Sequence, residues 1–408
     1  MIQRRREPPF LEFLFTIVIL YSTMPIIARI FSSYLTTYSY MLVLLLAFIA
    51  TLSAKRQSSL SEMLNILLPF IVYEVFIYVV GSWETLLWLY QVLLDLSPVA
   101  FGYFVIRKMK YGAAKYFSYV IFIALVVTSI TTLIGLAVYP DASRYIATVS
   151  DSNEAKAVTY DLMNIGGYDF VYTCILVYPI AIYAFKKKRL HWAIMTAIVV
   201  LNFFLCLTSG YTIAFIFVVL STIFLIFPKN LSVTQVIIIL AISLFLIIVL
   251  SDYVSMGLNS LADVIKNKDI SERLRALANG REGLQDIDDD RVGLYLTSLQ
   301  SFIDSPILGG MINGTRMGGH SFIFDTMAQY GMFGIIFLIA MYRIIYKYLF
   351  RPYKNCEGFG FVFWTFLQIL MFSAVNTGMW LPVLGFFAPV LFAFINKKGA
   401  DNEGFMDK

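Results

Sequence analysis

Long apolar runs separated by short polar connections recur along almost the whole chain. A helix that crosses the hydrocarbon core of a bilayer needs about 20 mostly apolar residues. At this length, only helices satisfy every backbone hydrogen bond within their own segment in lipid. The pattern therefore predicts an all-α polytopic membrane protein, a single integral membrane domain over residues 1–408, with about twelve transmembrane helices. The predicted spans are 10–30, 38–54, 61–80, 86–106, 116–138, 168–185, 191–208, 211–227, 233–251, 320–346, 358–376 and 380–395.

The composition agrees with this pattern and excludes a soluble globular protein. Hydrophobic residues make up 59% of the chain and charged residues only 14%. A soluble domain carries roughly 25% charged residues because water must solvate its surface. The net charge of +5 is small for this length and is no sign of nucleic-acid binding, so membrane lipids are the expected surroundings.

The distribution of lysine and arginine predicts the orientation of the spans. If the N-terminus is cytoplasmic, every short connection on the cytoplasmic side is basic, as the positive-inside rule requires. The basic groups are Arg4 to Arg6, Lys55-Arg56, Arg107 to Lys115, Lys186 to Arg189, Lys229, Arg343 to Lys354, and Lys397-Lys398. No small-residue cleavage site follows Arg4 to Arg6 before Arg29, so an uncleaved first span is expected. Both termini are predicted to be cytoplasmic.

Two connections on the opposite, outer side are much longer than the others. They cover 140–168 and 252–319, and the second separates predicted spans nine and ten. Connections of this length without a regular structure of their own are uncommon, and they often carry function. The stretch from Leu294 to Ile303 is amphipathic, which predicts short helices at the membrane surface within a large outer loop.

The large outer loop also holds the residues best suited to chemistry. Its arginines and the histidine that follows are Arg273, Arg275, Arg281, Arg291, Arg316 and His320. Arginine binds phosphate or carboxylate through two parallel hydrogen bonds, and histidine can act as a general base near neutral pH. Alternatively, the arginines pair with the acidic residues of the loop and only keep it soluble.

Two carboxylates lie within predicted spans, Glu74 in the third and Asp95 in the fourth. Such groups are costly in lipid and usually face a cavity or a partner. Three interpretations are open: a buried ion pair with Arg29 as one candidate partner, which is favoured, a proton relay, and a pair of the glycoside-hydrolase type. The 3 cysteines and 2 histidines form no cluster with metal-ligand spacing, so no metal and no disulfide framework is expected.

The segment from Arg291 to Gly334 shows a specific order of motifs. Arg291 is followed by Pro306-Ile307-Leu308-Gly309, then by His320, and finally by Gly331-x-x-Gly334. This order resembles the C-terminal signature of the O-antigen polymerase and ligase superfamily of bacterial envelopes. The topology of about twelve spans with one large late outer loop is similar as well.

The resemblance implies an enzyme, a glycosyltransferase without metal or other cofactor, in the bacterial cytoplasmic membrane. Its substrates would be polyprenyl-diphosphate-linked oligosaccharides, and a chain-length regulator is a further candidate partner. By this resemblance His320 activates the acceptor hydroxyl and Arg291 holds the donor diphosphate, with Arg273 or Arg275 assisting. The expected product is a longer lipid-linked O-antigen, capsule or exopolysaccharide.

The chain departs from the family pattern at two places. Where the family often has a Ser-Arg pair, this chain has Ser209-Gly210-Tyr211, and Arg29 or Arg316 would have to supply the missing charge. Ser321 follows the histidine where ligases usually have asparagine, which favours a polymerase. The alternatives are a ligase that moves finished glycan to a lipid or protein, a lipid-linked oligosaccharide flippase, and an assembly subunit.

Overall fold

The computed structural model describes residues 9–34, 37–53, 59–81, 85–147, 154–209, 211–249, 251–264, 271, 275, 278, 291–311, 317–378 and 380–396. Every regular element among these residues is helical. The helices before the first long outer connection are α1 (Pro9–Thr23), α2 (Pro25–Tyr34), α3 (Thr37–Ser53), α4 (Ser59–Gly81), α5 (Thr85–Lys108) and α6 (Tyr111–Val138). Those up to the large loop are α7 (Ala142–Ala147), α8 (Glu154–Leu162), α9 (Tyr168–Lys186), α10 (Trp192–Ser209), α11 (Thr212–Ile223) and α12 (Val233–Val249). The last ones are α13 (Ser251–Val264), α14 (Arg291–Asp304), α15 (Phe322–Ile345), α16 (Phe359–Val375) and α17 (Ala388–Asn396), with a π-helical segment at Pro382–Phe387.

The prediction of an all-helical fold is confirmed for the described residues, and the helices suit a membrane. Six of them are long and apolar enough to cross a bilayer: Ser61–Val80, Trp88–Arg107, Tyr111–Val138, Tyr168–Lys186, Trp192–Ser209 and Phe322–Tyr353. The shorter apolar helices are Tyr40–Thr51, Ile213–Ile223, Val233–Ser243, Phe359–Val375 and Pro382–Asn396. Each lies at a predicted span, but the number of crossings stays a prediction.

The outer surface of the helices is apolar in the way that lipid requires. Ile123, Ile134 and Phe245 are each more than 60% exposed although they lie within apolar helices. Single exposed apolar side chains are normal on soluble proteins, but contiguous apolar faces are rare there. A bilayer solvates such faces without cost, so the exposed apolar residues support the membrane assignment.

The predicted first span, 10–30, is not one straight helix. α1 and α2 are bent by 113° at the break between Thr23 and Pro25. Pro25 has no N–H to donate, and proline disfavours helical geometry at the residue before it, which ends α1 here. Ile26 N donates to Asn164 Oδ1 at 3.3 Å, so a residue that follows α8 caps the start of α2.

The core forms where α1, α5, α6 and the segment Pro382–Phe387 meet. The ring of Phe15 lies 4.9 Å from that of Phe101, 5.7 Å from that of Phe117 and 5.3 Å from that of Phe386. Tilted and edge-on ring pairs of this kind add to the packing of apolar surface. They join the N-terminal helices to the C-terminal ones in a single core.

Two glycines let α5 and the π-helical segment pack backbone against backbone. A Cβ on Gly102 would lie 1.6 Å from the carbonyl oxygen of Gly385, and a Cβ on Gly385 would lie 2.6 Å from the carbonyl carbon of Pro98. Backbone atoms cannot move aside as a flexible side chain can. Small residues at such crossings are what allows helices to approach closely in membranes.

Replacing Gly102 with alanine is expected to destabilise the bundle by about 3 kcal/mol, because overpacking against backbone forces the two elements apart. Gly112→Ala is the matched control, since a Cβ there meets nothing within 4 Å. Thermal unfolding of the detergent-purified variants measures the difference. A Gly102→Ala variant as stable as Gly112→Ala would contradict this packing.

Candidate active site

His320 lies directly before the N-terminus of α15, and its side chain is exposed. Ser321 is the N-cap of α15, and its Oγ accepts a hydrogen bond from Phe324 N at 3.0 Å. The first helical N–H, that of Phe322, is bound by the carbonyl oxygen of Asn376 at 2.7 Å. The start of α15 is thus fixed, and the imidazole of His320 is open to a substrate.

A network of hydrogen bonds surrounds the backbone of His320. One oxygen of the Asp325 carboxylate accepts from Gly319 N at 3.3 Å, and the other accepts from Ser321 N at 3.0 Å. Ser298 Oγ donates to Asp325 Oδ1 at 2.5 Å and accepts from Gly318 N at 2.9 Å. Residues of α14 and α15 therefore hold the segment that carries the histidine.

The turn after α14, at Pro306 to Gly309, is hydrogen-bonded to a break in α15. Gly331 has φ +58°, which interrupts the helix and leaves Met332 N without its usual partner four residues earlier. That N–H donates instead to the carbonyl oxygens of Pro306, at 2.8 Å, and Ile307, at 3.2 Å. Gly309, with φ +59°, faces the same break, and a Cβ there would lie 2.5 Å from Gly331 N.

This geometry gives a physical reason for the order of motifs in the sequence. The Pro306-to-Gly309 turn supplies acceptors to the helix break, and both glycines adopt a backbone conformation that side chains rarely tolerate. Gly334 belongs to the same arrangement, because a Cβ on it would lie 2.4 Å from the carbonyl oxygen of Thr326. The spacing of these motifs therefore matches a locked hairpin, by which we mean α14 and α15 with the turn between them hydrogen-bonded to the break in α15.

The hairpin of α14 and α15 is also attached to the end of α16. Tyr295 OH donates to the carbonyl oxygen of Val375 at 2.9 Å, one residue before Asn376. Gly318 packs so closely on α14 that a Cβ there would lie 2.2 Å from the carbonyl oxygen of Leu294. Three helices thus fix the position of the histidine.

Three of the predicted diphosphate-binding arginines, Arg291, Arg275 and Arg29, are among the described residues, and they lie in different parts of the structure. Arg291 is the first residue of α14, on the same helix as Ser298. Arg275 Nη2 makes an ion pair with Asp263 Oδ1 at 2.8 Å, and both side chains are largely exposed. Arg273 and Arg316 lie outside the described residues. Arg275 thus pairs with an acidic residue of the large loop, and whether the pair serves only to keep the loop soluble stays a prediction.

Arg29 lies in α2 and interacts with an acidic residue of α8. Burial raises the pKa of the Asp161 carboxyl, and the nearby Arg29 guanidinium opposes this rise. The same helix pair is connected through Ile26 and Asn164. Arg29 thus interacts with the 140–168 segment, and this interaction does not join it to His320.

Glu74 and Asp95 meet between α4 and α5. The two carboxyl groups lie close to each other, and Gln91 Nε2 donates to Asp95 Oδ2 at 3.0 Å. The charged neighbour of Glu74 is therefore Asp95, rather than Arg29, and it lies on the adjacent helix α5.

Sequence reasoning did not single out Asp325 or Ser298 as part of the site. Asp325 lies five residues after His320 and four after the N-cap serine, a spacing close to that of a capping box. This spacing was a usable signal. No sequence signal identifies Ser298, because its contact with Asp325 depends on how α14 packs on α15.

Comparison with known proteins does not assign a family or a function to the chain. No protein-family model matches the chain, and no curated protein sequence matches it either. The functional conclusion therefore depends on the site geometry and on the order of motifs in the sequence.

Proposed function

We propose that the chain is a polysaccharide polymerase of the bacterial cytoplasmic membrane, working at its outer face. It transfers a polyprenyl-diphosphate-linked glycan onto the non-reducing end of another lipid-linked repeat unit. The observation that carries the proposal is the exposed imidazole of His320, held at the start of α15 beside the helix that Arg291 begins. A chain of about twelve spans with cytoplasmic termini would present this hairpin on the outer side.

The proposed reaction uses His320 as a general base. The imidazole takes the proton of the acceptor hydroxyl, and the hydroxyl oxygen attacks the anomeric carbon of the donor sugar. The bond from that carbon to the diphosphate oxygen breaks, and the polyprenyl diphosphate leaves. Its diphosphate is already a good leaving group, so arginines that stabilise the developing negative charge assist its departure.

The proposed diphosphate site is formed by arginines of the large loop. Arg291 is the first candidate, since it begins the helix that holds Ser298 and thereby the histidine segment. Arg273, Arg316 and Arg275 are further candidates from the same loop, and Arg29 is a candidate from α2. If Arg275 binds diphosphate, its exposed ion pair with Asp263 must open, and such pairs cost only about 0–1 kcal/mol to break.

Deleting the chain from its native host tests the proposed activity. Mass spectrometry of the polyprenyl-linked glycans is expected to find that single repeat units accumulate. Their modification by a membrane-impermeant sugar oxidant in intact spheroplasts is expected to place them on the outer leaflet. Plasmid-borne wild-type chain restores the normal length distribution and is the control. Long chains that remain on the carrier would instead indicate a ligase, and single units confined to the inner leaflet would indicate a flippase.

A further inference from the structure

The two peptide N–H groups that flank His320 bind the same carboxylate. Gly319 N donates to Asp325 Oδ1 and Ser321 N donates to Asp325 Oδ2, at 3.3 and 3.0 Å. Gly319 has φ +72°, a conformation that side chains rarely adopt, and a Cβ there would meet nothing within 4 Å. Glycine is therefore required here by the backbone conformation and not by lack of space. That conformation directs both N–H groups toward Asp325.

A buried serine extends this hydrogen-bond network to α14. Ser298 has no exposed surface, and its hydroxyl donates to Asp325 Oδ1 while it accepts from Gly318 N. Its hydroxyl thus has both its donor and one acceptor site occupied. The carboxylate, the serine and three backbone N–H groups form one network around a single histidine.

A helix cap explains only one of these two contacts, because the bond from Ser321 N to Asp325 resembles the one that a capping box makes to the N-cap N–H. The cap of α15 is already made by Ser321 Oγ, which binds Phe324 N. The bonds of Asp325 point backwards to Gly319 N and Ser321 N, both of which precede the first helical residue, Phe322. The bond to Gly319 N goes beyond the cap and reaches the segment before the helix, where His320 lies.

We propose that Asp325 and Ser298 are positioning residues of the polymerase, a role that rests on the proposed function. They hold the backbone of His320 so that the imidazole meets the acceptor hydroxyl in a reactive orientation. A carboxylate fits this task because it accepts all three hydrogen bonds. An asparagine would present an N–H₂ group to one of the donors, and a misplacement of about 1 Å can cost roughly 100-fold in rate.

The test measures elongation of lipid-linked repeat units in membrane vesicles from the deletion host. Asp325→Ala is expected to lower the maximal rate by about 100-fold, with the KM for the lipid-linked donor unchanged. Asp325→Asn and Ser298→Ala are each expected to lower it by about tenfold, since each leaves part of the network in place. Asp304→Ala is the matched control, because Asp304 is an exposed acidic residue of α14 that binds only Gln300 among the described contacts.

A double variant separates positioning from a general structural role. If Asp325 acts through His320, the variant His320→Ala/Asp325→Ala elongates no more slowly than His320→Ala alone. A double variant at least tenfold slower than His320→Ala would overturn the proposal. Hydrogen exchange of the peptide that covers 317–325 is expected to quicken at Gly319 and Ser321 in Asp325→Ala, while the other helices keep their protection.

The outcomes distinguish this inference from the proposed function. An inactive His320→Ala together with a fully active Asp325→Ala would overturn only the positioning role. A fully active His320→Ala would remove the proposed mechanism itself. Should Asp325→Ala fail to reach the membrane, Ser298→Ala carries the test, because it leaves the carboxylate in place, and an unchanged rate in that variant overturns the proposal.

Discussion

The His320→Ala variant is expected to elongate lipid-linked glycans about 100- to 10,000-fold more slowly than the wild-type chain, the range that loss of a general base produces. The side chain is exposed, so its removal should leave membrane insertion unchanged. The measurement is the initial rate of elongation in vesicles that contain equal amounts of each chain.

His191→Ala is the matched control for this prediction. His191 is the other of the 2 histidines, is also exposed, and lies between α9 and α10. Its Nδ1 accepts only a local hydrogen bond, from Ala193 N at 3.3 Å, among the described contacts. The control should elongate at the wild-type rate. Equal rates for wild type and His320→Ala, at equal insertion, would contradict the role of His320.

The Gly331→Ala variant is expected to lose the locked hairpin, and its free energy of unfolding is expected to fall by about 3 kcal/mol or more. Forcing a side chain into the left-handed conformation costs about 1–3 kcal/mol. A Cβ would in addition lie 2.5 Å from the carbonyl oxygen of Ile307, which belongs to the turn that accepts from Met332 N. Relief of either strain requires the turn to move away from α15.

Two measurements check this prediction. Thermal unfolding of the purified variant gives the stability loss, and limited proteolysis reports whether the segment between α14 and α15 opens. Gly257→Ala is the control, because that glycine lies in α13 and a Cβ on it meets nothing within 4 Å. A Gly331→Ala variant that unfolds and resists protease like the control would show that the turn does not depend on the helix break.

Much of the fold could be predicted because lipid imposes a simple rule on sequence. Each apolar run of sufficient length became a helix, and the amphipathic stretch from Leu294 to Ile303 is part of α14. The bend between α1 and α2 could have been expected from Pro25. The break at Gly331 could not, since it depends on acceptors from the distant Pro306 turn.

The candidate site was predictable only in part, for a related reason. His320 and the glycines have recognisable spacing along the chain, and the structure gives that spacing a physical meaning. The network of Asp325 and Ser298 arises from the packing of one helix on another, which spacing does not encode. The meeting of Glu74 with Asp95 likewise depends on how α4 and α5 are rotated against each other.

The most direct test of the central claim uses the purified chain alone in liposomes. The substrate is the single-unit lipid-linked glycan extracted from the deletion host. It is labelled in its sugar and reconstituted into the same liposomes as the protein. The account predicts that wild-type protein converts it into a ladder of lipid-linked oligomers with release of polyprenyl diphosphate, and that His320→Ala protein does not. Intact single units after incubation with correctly folded wild-type protein would contradict the claim that this chain is the polymerase.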